Sequence, residues 1–458
     1  NVFLLFMESI FLPQYIAGLS ATLGALAAGL VLGWSSSAGR DGIDLQILYN
    51  VSISSEEFSW IGSLSTLGAG AICMPIGILC DLIGRKYAML SLVIPFTVGW
   101  LLIIFANSVL MFYLGRFITG LSGGAFCVTA PMYTAEIAEN SIRGQLGTYF
   151  QLLLTIGILL SYVLGIFVDM RILSIISAIV PLIFFGVFMF MPETPTYYLK
   201  KGNEDAARQS LIKLRGSKYN IENELQSQQQ ALEEDSKDKA RFMTALKSKA
   251  TLKGVVIAYC LMFFQQLCGV NVVIFYSSTI FEKAGSHLNS KYSTAIVGVM
   301  QVIAVFVSTL IVDRLGRRIL LLVSIVFLFL TSFVLAVYFY LSENNQYVDS
   351  INWLPLVSVC IFIIMFNLGF GPIPWLMVGE LFQREVKGLV GSSACLFNWL
   401  MAFIVTKFYD DMSKAMNDSG TFWFFSAISV IGIIFVYMLV PETKGKSLEE
   451  IQRELNNS

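Results

Sequence analysis

Twelve apolar stretches constrain this chain more than any other feature. They fall at residues 14–34, 58–80, 86–105, 109–135, 144–168, 171–191, 252–281, 292–312, 318–341, 352–381, 388–409 and 420–440. Each is close to the roughly 20 residues that a helix needs to cross a bilayer. In hydrocarbon a backbone must satisfy its own hydrogen bonds, so each stretch is expected to be a helix. Charged residues make up only 13% of the chain, against about 25% in a soluble domain. The expected fold class is therefore all-α and integral to a membrane. It has two six-helix halves, residues 1–191 and 252–441, with a polar, helix-prone linker over 192–251 and a short tail over 442–458. A net charge of −1 argues against nucleic acid as a partner. The first residues carry no basic segment ahead of their apolar run, so no signal peptide is expected. A start without Met reads as a processed one.

Lys and Arg set the expected orientation. With both termini in the cytoplasm, 23 of the 30 fall inside and 6 outside, and Arg116 lies within a span. Without the long linker the balance is still 11 to 6. Two sequons, at Asn50 and Asn417, then fall outside and are candidate glycosylation sites.

The halves repeat one another. Asp81-Leu-Ile-Gly-Arg85 returns as Asp313-Arg-Leu-Gly-Arg317. Glu136 with Arg143 returns as Glu380 with Lys387, and Pro192-Glu193-Thr194 as Pro441-Glu442-Thr443. Parallel six-helix repeats are a known build for secondary transporters, with the substrate site between the halves. The repeated acids and bases stand at cytoplasmic helix ends. Loop capping is one reading of them, and a charge network that changes as the ends open and close is the other.

Polar side chains inside the spans mark the candidate site, because an unpaired amide in hydrocarbon costs roughly several kcal/mol. Phe264-Gln265-Gln266-Leu267-Cys268-Gly269-Val270-Asn271 places three amides in seven residues. On a straight helix Gln265 and Asn271 would be about 600° apart, so a break at Gly269 is needed to aim them together. Thr148, Gln151, Thr155, Ile158 and Tyr162 share a face of the fifth span, and Gln301 is a lone amide in the eighth. The tenth span breaks at Gly369-Phe-Gly371-Pro372-Ile-Pro374-Trp375, and the eleventh carries Asn398-Trp399. Gln151, Gln265, Gln266, Asn271, Gln301 and Asn398 both donate and accept, and the Trp375 indole can stack on the C–H face of a ring. This neutral set suits an uncharged polyhydroxylated solute. Interhelical bonding is the competing reading for the amides, and an interfacial belt position for Trp375. The first span, through Gly29-Leu-Val-Leu-Gly33-Trp34-Ser35, holds no acid, which favours uniport over proton symport. The seven cysteines show no metal or redox spacing and read as small core residues, and the one histidine, His287, reads as a loop residue. No nucleophile–base or metal cluster is present, so neither an enzyme nor a cofactor is expected.

These residues resemble the sugar porter family of the major facilitator superfamily over nearly the whole chain. The Asp81–Lys86 and Asp313–Arg318 loops, the Pro192 and Pro441 motifs, Gly371-Pro-Ile-Pro-Trp375, and Gln265-Gln266 with Asn271 carry the resemblance. Within the family the chain looks most like facilitated trehalose transporters of insects and facilitative glucose transporters. The resemblance implies the major facilitator fold in the plasma membrane and alternating access. It implies sugar contacts from Gln151, Gln265, Gln266, Asn271, Gln301, Trp375 and Asn398. It also implies an outer gate at Phe275 and Tyr276, with Phe366 and Trp399 bordering the cavity. Proton-coupled members place Asp on the first helix, where Ser35 stands here. Three positions depart from many glucose transporters: Gln301 for Asn, Asn367 for Glu, and Cys268 for Ser. The expected activity is facilitated transport of trehalose by a monomer. Glucose transport, proton symport and sugar sensing on the same fold are the alternatives.

Overall fold

The computed structural model describes residues 11–139, 141–216, 219–237, 248–286, 288–344 and 348–457. His287 and the end of the linker lie outside them, as does the side chain of Asp313. Every regular element among the described residues is helical. The first half comprises α1 (Leu12–Ser37), α2 (Ile43–Tyr49), α3 (Ser55–Ile72), α4 (Pro75–Ile83), α5 (Arg85–Ser91), α6 (Val93–Ile104), α7 (Val109–Ile137), α8 (Arg143–Phe167) and α9 (Met170–Phe188). The linker holds α10 (Pro195–Lys200), α11 (Glu204–Arg215) and α12 (Ile221–Lys237). The second half comprises α13 (Lys249–Leu267), α14 (Val270–Lys283), α15 (Ser290–Leu315), α16 (Arg317–Glu343), α17 (Leu354–Leu368), α18 (Ile373–Leu381) and α19 (Arg384–Leu439), and α20 (Leu448–Asn457) ends the chain.

Ten stretches among the described residues are long and apolar enough to cross a membrane, and the α3–α4 pair, bent by 50°, makes an eleventh. The stretch Val386–Leu439 breaks at Asn417, whose φ of 61° takes it out of the helix. It therefore supplies two spans, giving the twelve expected. Local chemistry sets the breaks. Pro75 opens α4 and cannot continue α3. Ser54 and Glu57 form a capping box that starts α3, with reciprocal bonds of 3.2 and 2.8 Å. The Asp169 carboxylate accepts from the N–H groups of Arg171 and Ile172 and starts α9.

Within each half the spans approach closely through small residues. Gly120 and Gly124 of α7 lie directly against Ser65 and Ala69 of α3, and Gly29 of α1 against Gly157 of α8. Any side chain at these glycines would collide with neighbouring backbone. With no hydrophobic drive between helices in lipid, such close contact is what holds them together. Leu, Ile and Phe side chains such as Ile94, Leu182, Phe190, Phe306 and Ile431 remain exposed on the outer surface of the bundle, as a lipid-facing surface requires. The halves meet along α3 against α19 and α8 against α15. One end of the bundle carries Arg85, Arg317 and the linker helices, and is called here the motif end. The other carries both sequons, at exposed Asn50 and Asn417, and is called the sequon end.

Candidate functional site

Gly269 makes the break that the amides require. It has a φ of 95°, a left-handed conformation open to glycine, and it separates α13 from α14. A side chain there would also press on the Phe425 ring, 2.9 Å from an added Cβ. The break lets Asn271 turn back on Gln266. The Asn271 Nδ2 donates to Gln266 Oε1 at 2.5 Å, and Gln266 Nε2 donates to Asn398 Oδ1 at 3.0 Å. Asn398 Nδ2 then donates to Gln265 Oε1 at 2.6 Å. Gln265 Nε2 ends the chain by donating to the carbonyls of Phe370 and Gly371, at 2.7 and 3.0 Å. Those carbonyls are freed by the second helix break, between α17 and α18. The four amides therefore form one circuit that links both breaks and the eleventh span, and all four are buried.

The circuit divides the amides by what they still offer. Each amide has two donors and two acceptor sites. Gln265 spends both donors and one acceptor inside the protein. Gln266 spends one of each, and Asn271 only one donor. Gln266 and Asn271 thus keep the free valences, while Gln265 is largely a strut.

The other expected site residues are placed differently. Gln301 on α15 is buried and its Oε1 has no partner, an acceptor held in reserve. Gln151 on α8 is half-buried, and Trp375 on α18 is 40% exposed. Among the described residues no hydrogen bond joins these three to the amide circuit. Trp399 is half-buried and packs against Gly70 of α3. Phe366 is buried, and its carbonyl accepts from Gly371 N at 2.7 Å, bracing the second break. Asn367 is buried and donates to the Ile363 carbonyl one turn back at 2.8 Å.

Between the circuit and the sequon end, α14 is sealed against the first half. Tyr162 donates to the Ile274 carbonyl at 2.7 Å, and Ser278 N donates to Ser36 Oγ at 3.2 Å. Phe275 is fully buried. Tyr276 meets Phe58 edge-on, lies beside Tyr409 and donates to the Thr406 carbonyl. Lys291 of the second half pairs with Asp44 of the first at 2.7 Å. Arg40, Asp41, Tyr276, Lys283, Asp410 and Lys414 are among the residues around a cavity of about 150 Å³ at this end. Sequence reasoning did not find the Asp44–Lys291 pair, because its partners lie 247 residues apart near the starts of two unrelated helices, α2 and α15.

Arg116 is fully buried on α7. It donates to the carbonyls of Val31 and Ile61 at 2.8 and 3.0 Å, and to Ser35 and Ser65 hydroxyls at 2.9 and 3.1 Å. The Trp34 ring covers it at 4.9 Å. Neutral oxygens and a π face surround the charge.

At the motif end the repeated charges pair within each half. Arg85 bonds Glu136 at 2.9 Å and Asp81 at 3.0 Å. Arg317 bonds Glu380 at 2.9 Å, and Thr443 donates to the other Glu380 oxygen. Glu193 accepts from the N–H groups of Arg85, Lys86 and Thr194, and Glu442 accepts from those of Arg317, Arg318 and Lys444. The two copies differ in depth. Burial pushes the Glu193 carboxyl up and outweighs its N–H donors. Burial also works to raise Glu442, but in that more open site the donors win and hold it below the usual carboxylate range. Arg143 donates to the Ala138 carbonyl at 3.5 Å, and Lys387 lies beside Gly379. These contacts brace helix ends and do not tie one half to the other.

The pattern of the family described as Sugar (and other) transporter matches residues 19–455. The facilitated trehalose transporter Tret1 of Anopheles gambiae is 39% identical over 443 residues, which are 96% of this chain and 56% of that protein. The chain thus spans little more than half the length of that relative. The facilitated trehalose transporter Tret1 of Bombyx mori is 38% identical over 444 residues, 97% of this chain and 87% of that protein. The xylose transporter XylE from E. coli, in an inward open conformation, shares the fold with a TM-score of 0.79 at 22% identity, over 95% of this chain and 98% of that one. A structure of the proton:xylose symporter XylE bound to 6-bromo-6-deoxy-D-glucose gives a TM-score of 0.78 at 22% identity, over 96% and 99%. By sequence and by fold, this chain is a member of the sugar (and other) transporter family.

Proposed function

We propose that this protein is a plasma-membrane uniporter that carries trehalose by alternating access, as a monomer with both termini and the motif end in the cytoplasm. The observation that carries this reading is the amide circuit at the Gly269 break, neutral throughout and with free donors and acceptors on Gln266 and Asn271. Such a set bonds hydroxyls, and offers an ion or a carboxylate no opposite charge. Gln301 adds an unspent acceptor, and Gln151 and the part-exposed Trp375 complete the sugar contacts. The insect relatives named as facilitated trehalose transporters support the choice of sugar.

In this reading α14 is the outer gate. Phe275 and Tyr276 close over the ligand, and the Asp44–Lys291 pair latches the same end. Phe366 and Trp399 border the path. The intra-half clusters around Arg85 and Arg317 keep each half rigid while the halves rock. Arg116 needs no titrating partner, since Ser35 and backbone carbonyls already satisfy it, so transport runs down the sugar gradient without a proton. Counterflow of labelled trehalose against labelled glucose in proteoliposomes, without a pH gradient, tests the reading. Exchange of trehalose is expected. Exchange of glucose alone would assign a hexose, and exchange that requires a pH gradient would replace uniport by symport.

A further inference from the structure

The two halves meet along α3 and the first part of α19, which run antiparallel. Toward the sequon end, Trp60 packs on Phe403 with ring centroids 5.9 Å apart, and Lys407 lies 5.0 Å from the Trp60 ring. Further along, Gly70 faces Leu396 and Trp399. One turn later Cys73 ends α3, just before the 50° bend into α4. There its Sγ lies 3.2 Å from Cys395 Sγ of the other half. The pair is separated by 322 residues in sequence, and no loop ties the two positions together.

We propose that Cys73 and Cys395 are a redox-sensitive clamp: a hydroperoxide converts them to a disulfide that joins the two halves and stops transport. Cys395 is half-buried and so can be reached by a small oxidant, while Cys73 is 2% exposed and behind it. The deprotonated Cys395 sulfur attacks one peroxide oxygen and the O–O bond breaks. The departing hydroxide takes up the thiol proton as water, leaving a sulfenic acid on Cys395. The Cys73 sulfur then attacks that sulfur, the S–O bond breaks and a second water leaves. Two thiols and one hydrogen peroxide become one disulfide and two waters.

The bond's effect follows from its place. A disulfide fixes its Cα atoms about 4.4–6.8 Å apart with a narrow torsion. Changing access requires α3 and α19 to alter their crossing and slide past each other. The aromatic and glycine contacts along the seam permit that, and a covalent bond at its end does not. The clamp rests on the transport reading only for its consequence, since the bond itself forms or fails independently of substrate.

The test treats the full protein in proteoliposomes with hydrogen peroxide, maps disulfides by mass spectrometry, and measures both trehalose and glucose counterflow. The expected result is a Cys73–Cys395 link with at least tenfold slower exchange, reversed by dithiothreitol. Cys395→Ser and Cys73→Ala should keep basal exchange within twofold and become insensitive to peroxide. A different pairing, or no link, overturns the site. A complete link with unchanged exchange overturns the clamp. Absence of any sugar exchange in the reduced protein would instead count against the transport reading, and the disulfide map would still decide the site.

Discussion

Adjacent residues Gln265 and Gln266 should fail in different ways when truncated. Gln266 spends two of its four hydrogen-bonding valences on Asn398 and Asn271, and two remain for a sugar. Each neutral bond is worth about 0.5–1.5 kcal/mol net, so Gln266→Ala should weaken sugar binding by about 1–3 kcal/mol. That is roughly 5- to 150-fold in Kd. Gln265 spends three valences inside the protein, two of them on the carbonyls at the second helix break. Gln265→Ala strips the carbonyls of Phe370 and Gly371 of their side-chain donor, at about 1–3 kcal/mol each. Its loss should fall on stability, with a clearly lower unfolding temperature. Calorimetric titration with trehalose and with glucose, beside thermal unfolding in the same detergent, separates the two effects. The reasoning fails if Gln266→Ala binds sugar within twofold of the parent. It fails equally if Gln265→Ala unfolds at the parent's temperature.

Three further outcomes are expected. Asp44 and Lys291 are each a third exposed, so their pair is worth about 0.5–1 kcal/mol. Lys291→Ala should therefore open the sequon end roughly two- to fivefold more often, read as faster maleimide labelling of a cysteine placed at Thr279; an unchanged rate would remove the pair as a latch. Glu442 is held below the usual carboxylate range, so its contribution to stability is full above that range and is lost as pH falls through its lowered pKa. Glu442→Gln should abolish that acid-dependent loss in unfolding measured from pH 7 to pH 3, while Glu193→Gln should not, because burial raises Glu193 and reverses its sign. Glu380→Gln strips Arg317 and Thr443 of a carboxylate inside the second half and should lower the unfolding temperature by loosening that end of the half. Because the pair lies within one half, a cysteine at position 387 should be labelled at the parent's rate, and a clearly faster rate would refute the intra-half role.

The architecture was legible because bilayer thickness writes itself into the chain as length, and the internal repeat writes itself as matched motifs. The break at Gly269 was legible too, since three amides at that spacing share no face of a straight helix. What could not be read was which amide is spent on which. That depends on Phe370 and Gly371, whose carbonyls are freed by a break more than a hundred residues away from Gln265. Contacts between the halves were equally hidden. Asp44 with Lys291, and Cys73 with Cys395, carry no local pattern, and only the packing of twelve helices brings them together. The Cys spacing in the sequence pointed to inert core residues for just this reason.

The distribution of charge between the two ends argues for a carrier with two states of similar energy. The strong, partly buried pairs, Arg85 with Glu136 and Arg317 with Glu380, lie within halves, so rocking leaves them intact. The polar and aromatic contacts between the halves toward the sequon end are individually weaker, and include one part-exposed ion pair, single hydrogen bonds from Tyr162 and Ser278, an edge contact between Tyr276 and Phe58, and Phe403 and Lys407 against the Trp60 ring. Each is worth about 1.5 kcal/mol or less, the same order as each hydrogen bond a neutral ligand makes to Gln266 and Asn271. A sugar can then bias the equilibrium by its own binding energy, because it need only bind one arrangement of the amides better than the other. Arg116 fits the same scheme. Its charge is satisfied by Ser35, Ser65 and two carbonyls within the first half, so neither rocking nor substrate arrival changes its partners. In the proposed cycle a proton would have no work to do there.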